Sequence, residues 1–135
     1  MNKEVQKKYI EMQTVQQQIA QISEQNELLQ QQRMELANTV ESLNDLKRIE
    51  SEKELLTPIS QGIFVSSKVG KVKELFVNVG SGIIVKKNVD DAVKLIEGQV
   101  VEIDALFNEF CGKISELTIK GMKIEEELKK LMKNV

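Results

Sequence analysis

Apolar residues recur at alternating spacings of three and four over most of the chain, and the pattern breaks only once, in the middle. On the N-terminal side the series is Met12, Val15, Ile19, Ile22, Asn26, Leu29, Arg33, Leu36, Val40 and Leu43. Eight of these ten are apolar, a stripe narrower than that of a globular-domain helix and matching a coiled-coil seam. On the C-terminal side it is Val93, Ile96, Val100, Ile103, Phe107, Phe110, Ile114, Leu117, Gly121, Ile124, Leu128, Leu131 and Val135, with only Gly121 departing. The one proline lies between the two series. The spacing predicts one helix over residues 1–54 and a second over 88–135. Asn88 is suited to cap the second, with Asp90 and Asp91 in its first turn favoured by the helix dipole.

Between them, residues 57–87 change period and hold Pro58 and four of the seven glycines. Pro58 disfavours helical geometry at Thr57 and ends the first helix. Short strands are predicted over 62–66, 75–79 and 83–85, with 59–61 as a further edge segment. Val69, Gly70 and Lys71 read as a turn, and Gly80, Ser81 and Gly82 as a tight connection suited to positive φ. The strands are apolar on both faces: Ile63 and Val65 oppose Phe64, Leu75, Val77 and Val79 oppose Phe76, and Ile83 and Val85 oppose Ile84. That pattern calls for burial on both sides, and so few strands leave open edges. These ten residues are therefore predicted to form a subunit interface, and the chain to be an obligate oligomer.

A compact insert obliges the two helices to return antiparallel and zip along their seams. The chain thus reads as a single domain over 1–135, of α+β class: a long antiparallel two-helix coiled coil with a small antiparallel β insert at one end. Asn26 and Arg33 interrupt the first seam; a polar seam residue can fix register or oligomer state at a cost in stability, and the spacing leaves open whether these two do so or only tune flexibility. The glutamines between the seam residues, Gln16 to Gln18 and Gln30 to Gln32 among them, read as a solvated helix face.

Composition sharpens this picture. Trp is absent, with one Tyr and four Phe, too few large side chains for an ordinary globular interior. Residues 1–54 and 90–135 each carry seven basic and ten acidic groups, whereas 55–89 carries five Lys against Glu74 alone. A basic insert without Arg lacks the fork that reads phosphate or guanine, so nucleic acid is not an expected partner; Lys guarding strand edges is the simpler account. With no His the commonest general base and metal ligand is missing, and Cys111 has no partner for a disulfide. Neither an enzyme nor a metal or cofactor site is expected. No apolar run suggests a signal peptide or a membrane span, and the expectation is a cytoplasmic protein.

The free ends of the two helices offer Val5, Tyr9, Ile10 and Met12 from the first and Leu128, Leu131, Met132 and Val135 from the second. Lys8 falls where the first seam should be apolar, so this end is expected to fray and leave apolar side chains uncovered; methionine suits irregular partners.

The run Pro58-Ile59, Gly62, Phe64-Val65, then Val77-Asn78-Val79-Gly80-Ser81-Gly82-Ile83-Ile84-Val85 and Lys87, set between two coiled-coil helices, resembles the α class of prefoldin subunits in its archaeal form. The resemblance covers essentially the whole chain. It implies two β-hairpins in the insert, completing an oligomeric β-barrel in a hexamer of two α and four β prefoldin subunits. It further implies an ATP-independent co-chaperone that holds non-native client proteins at its coiled-coil tips and delivers them to a group II chaperonin. A coiled-coil scaffold or filament-forming protein is the alternative from another class.

Overall fold

The computed structural model describes residues 3–49, 53–70 and 74–133. The order of elements is helix α1 (Lys3–Arg48), strands β1 (Lys53–Ser60), β2 (Ile63–Val69), β3 (Leu75–Asn78) and β4 (Ile84–Lys87), and helix α2 (Val89–Lys133). Two compact units result, one of residues 1–33 with 101–135 and one of residues 34–100.

In the first unit α1 and α2 pair antiparallel. Lys8 meets Glu127, Asn26 meets Cys111, and Arg33 meets Asp104. Of the described seam residues on both helices, every one is buried or half-buried except Arg33. Its guanidinium leaves the seam because a cation stays hydrated where it can, and it donates to both carboxylate oxygens of Asp104, at 2.7 and 3.4 Å. The tightest packing is towards the free end, where Val5, Val15, Ile124 and Leu128 form a cluster flanked by Met12, Ile19, Leu117 and Leu131. Gly121, the one small residue in the second seam, is where Met12 and Val15 lean in.

In the second unit Asn88 caps α2 as the sequence predicts: its Oδ1 accepts from the Asp91 amide at 2.7 Å. Lys47, in the last turn of α1, donates to Asp90 in the first turn of α2, each charge complementing the dipole of its own helix end.

The insert is two separate two-stranded antiparallel sheets, β1 with β2 and β3 with β4. The first differs from the predicted arrangement. Lys53 and Glu54, assigned to the end of the first helix, and Leu55 and Leu56, placed in the exit from it, extend β1, pairing Lys53 with Val69 and Leu56 with Ser66. Pro58 does not merely stop a helix; it lies within the strand opposite Phe64, a place proline tolerates where one strand edge is free. The chain reverses at Gln61 and Gly62, with Gly62 at φ +81° and a register shift between Pro58 and Ser60. Val69, expected in a turn, is the last residue of β2, opposite Lys53, and Lys71 lies outside the described residues. The reason is pairing: a ladder with β2 outweighs the weak helical preference of four residues.

The second hairpin follows the prediction closely. Gly80, Ser81 and Gly82 all have positive φ, at 120°, 52° and 76°. Asn78 Oδ1 accepts from the Gly80 amide at 2.9 Å, and Ile83 N–H donates to Gly80 O at 2.9 Å, so the side chain of Asn78 helps close the turn.

Candidate functional site: helix tip and paired hairpins

The tip, built by the first turns of α1 and the last turns of α2, is closed rather than frayed. Lys8 takes a seam position yet keeps the helices together: half-buried there, its ammonium pairs with Glu127 opposite and with Glu11 at 3.5 Å on its own helix. The hydrogen bond to Glu127 raises the Lys8 pKa, and the same bond holds the Glu127 carboxyl below the usual carboxylate range.

Closure sorts the tip residues named from the sequence. Val5 and Leu128 are buried, and Met12 and Leu131 pack half-buried against them. Tyr9, Ile10 and Met132 are exposed, Ile10 the most at 64 %. The Tyr9 hydroxyl donates to Met132 Sδ at 4.0 Å, so these two form one patch contributed by both helices. Val135 lies outside the described residues. A groove beside the patch is lined by Lys7, Lys8 and Lys130, by Glu4, Glu11 and Glu127, and by Leu131. Sequence reasoning passed over Ile119 and Met122, which are exposed on α2 and, being three residues apart, share a helix face. Their signal was available: large apolar residues off the seam.

In the insert, the ten residues predicted as an interface fall into two groups. Ile63, Phe64, Val65, Phe76, Val79, Ile83 and Ile84 are exposed, with Phe76 at 72 %. Leu75, Val77 and Val85 are half-buried on one face of the second hairpin, where Val77 sits directly opposite Val85. On the other face Lys86 lies over the Phe76 ring, 5.8 Å from its centre. Leu56 and Ile59, also exposed, extend the apolar surface of the first hairpin. A two-stranded sheet standing alone is marginal in water, and exposed apolar residues gathered on its faces are the kind of surface that partners cover.

Two long coiled-coil helices and two hairpins find their counterpart in a known family. Residues 15–134 match the family model of the prefoldin subunit. The chain belongs to the prefoldin family. A prefoldin subunit alpha from Pyrococcus horikoshii is 38 % identical over 118 residues, covering 86 % of this chain and 79 % of that one. Another, from Archaeoglobus fulgidus, is 26 % identical over 133 residues, covering 93 % and 92 %. Among solved structures, a chain of filamentous prefoldin from Methanocaldococcus jannaschii superposes with a TM-score of 0.80 over 88 % of this chain and 98 % of its own, at 23 % identity. That likeness carries the fold. Prefoldin subunits are chaperone components and not a known enzyme family. Among the described residues no helix is long and apolar enough to cross a membrane.

Proposed function

We propose that this prefoldin chain is the α-type subunit of an ATP-independent holdase, cytoplasmic and without catalytic activity, and that it captures non-native proteins at its helix tip. The co-chaperone role goes with the family, and as an α-type subunit the chain works in a hetero-oligomer with β-type subunits. The further particulars are our reading: one domain over 1–135, a hexamer of two α and four β chains, and transfer of clients to a group II chaperonin.

The observation that carries it is the division of apolar surface. Tyr9, Ile10 and Met132 face solvent at the tip, and the hairpins expose Phe64, Phe76, Ile83 and Ile84. The tip patch is small, contains a methionine and is ringed by mixed charge, which suits weak contacts with many sequences. The hairpin surface is broad and ordered in strands, which suits fixed contacts with other subunits. Val5, Met12, Leu128 and Leu131 join the client surface when the tip loosens.

The deciding experiment is co-expression with a one-hairpin β-type subunit, followed by mass determination and an aggregation-suppression assay on a denatured client. A closed hexamer that suppresses aggregation supports the reading. A second reading, a filament-forming scaffold, is favoured by the filamentous assembly of the similar Methanocaldococcus jannaschii chain and by the open edges of both hairpins. Mass that grows without limit as concentration rises, with no suppression of aggregation, would establish that reading instead.

A further inference from the structure

The first unit carries, between Asn26 of α1 and Cys111 of α2, a polar junction that neither client capture nor assembly accounts for. Asn26 occupies a seam position and is only 7 % exposed. Its Nδ2 donates to Cys111 Sγ at 3.4 Å, while its Oδ1, equally buried, has no partner among the described residues. One sulfur thus faces an amide that offers both a donor and an acceptor. Whichever way the amide is turned, one of its two polar atoms goes unserved, and a buried polar atom in that condition is costly. Cys111 itself is exposed, so a small reagent reaches its sulfur from solvent while Asn26 holds it from within. It is also the sole cysteine of the chain, so no second thiol of the same chain can condense with an oxidised form.

We propose that Cys111 is a site of oxidation by hydrogen peroxide, and that the Asn26 amide receives and preserves the resulting sulfenic acid. In the step, Sγ attacks one oxygen of the peroxide. An S–O bond forms as the O–O bond breaks, and the thiol proton leaves with the departing hydroxide as water. Sulfur gives up two electrons and the peroxide takes them. The product, S–O–H, carries an acceptor and a donor side by side, the complement of the amide. Asn26 Nδ2–H keeps a bond to the modified sulfur group, and the new O–H donates to the orphaned Oδ1. Oxidation therefore completes a pairing that the thiol leaves half made, and it bridges α1 to α2 more firmly at mid-coil.

The test uses the full chain, alone and assembled with a β-type subunit. Protein is treated with hydrogen peroxide, the peroxide is removed with catalase, and dimedone is added after increasing delays to trap the sulfenic acid, read by intact mass. Asn26→Val removes both polar atoms and supplies an apolar seam residue; Asn26→Ala does so without branching, and circular dichroism checks that each variant is helical. One net hydrogen bond corresponds to about a fivefold longer lifetime of the trapped species in the wild type than in either variant, with oxidation raising the melting temperature of the wild type only. Equal lifetimes in wild type and variants overturn the proposal. So does peroxide treatment that yields no dimedone adduct, only unmodified or irreversibly oxidised Cys111.

Discussion

Lys8 and Glu127 form an ion pair across the tip, in a place where the heptad pattern calls for an apolar contact. The arrangement turns an interruption of the seam into a bridge, and it gives the tip a dependence on pH. Lys8 has its pKa raised by the hydrogen bond to Glu127, and Glu127 has its pKa lowered by the same bond. A lowered acid stabilises the folded tip above the pH at which the unfolded carboxylate ionises, and that contribution fades as pH falls through the folded-state value. A raised base stabilises below the ordinary lysine range, and its share fades as pH climbs through the folded-state value. The pair is at full strength between those ranges. Side-chain exposures of 29 % and 51 % keep the effect small. Amide exchange of the last turns of α2, corrected for intrinsic rates, is expected to quicken on acidification in the wild type and to stay level in Glu127→Gln. The same acid response in both proteins would remove the pair from this role.

Gly121 leaves room that alanine can fill. A Cβ there would meet Val15 Cγ1 at 3.5 Å and Met12 Sδ and Cε at 3.7 Å, all ordinary van der Waals distances. Gly121→Ala should therefore stabilise the chain by about 1 kcal/mol through helix propensity. Gly121→Leu would drive a branched side chain into Met12 and should destabilise it by about 1–3 kcal/mol. Thermal melts of the two variants decide it; a destabilised alanine variant would mean that the glycine serves a bend the helix needs.

Burial separates two kinds of tip residue. Ile124 is 4 % exposed and Ile10 is 64 % exposed. Ile124→Ala is expected to cost about 2–4 kcal/mol, the usual loss for a truncated core residue. The triple change Tyr9→Ser, Ile10→Ser and Met132→Ser should leave the melting temperature nearly unchanged yet weaken aggregation suppression several-fold. Full holdase activity in that triple variant would move client capture away from this patch.

For the hairpins, the readout is assembly. Phe64→Asp and Phe76→Asp place a charge where apolar surface is to be covered, and an unpaired buried carboxylate is strongly unfavourable. Size-exclusion chromatography with a β-type subunit should show both variants failing to enter the complex. Assembly at wild-type mass would take these faces out of the interface.

Arg33 offers a contrast in the same seam. Its pair with Asp104 is half exposed on both sides, so Asp104→Ala should cost less than about 1 kcal/mol. Arg33→Leu restores an apolar residue to the seam next to Leu29, Ile103 and Phe107 and should raise the melting temperature. A lower one would show that the guanidinium stem already packs the seam better than leucine.

The two seams were legible residue by residue because a coiled coil writes its contacts directly into spacing, and the Asn88 cap and the Gly80–Ser81–Gly82 turn because each is a local geometry set by a few side chains. Strand β1 was not. Lys53 to Leu56 has no extended signature of its own and becomes a strand only through pairing with Ser66 to Val69, a relation between segments that local pattern does not carry. The closed tip was missed for a related reason. Lys8 looks like a defect until its partner, Glu127 on the other helix, is known.

The uncovered hairpins have a consequence for how much of this chain a cell can tolerate. A copy that has not met its partners displays Leu56, Ile59, Phe64, Phe76 and Ile84 to solvent, the kind of surface by which misfolded proteins are themselves recognised. On the proposed reading, a surplus subunit presents the same kind of surface as the clients its assembly would hold.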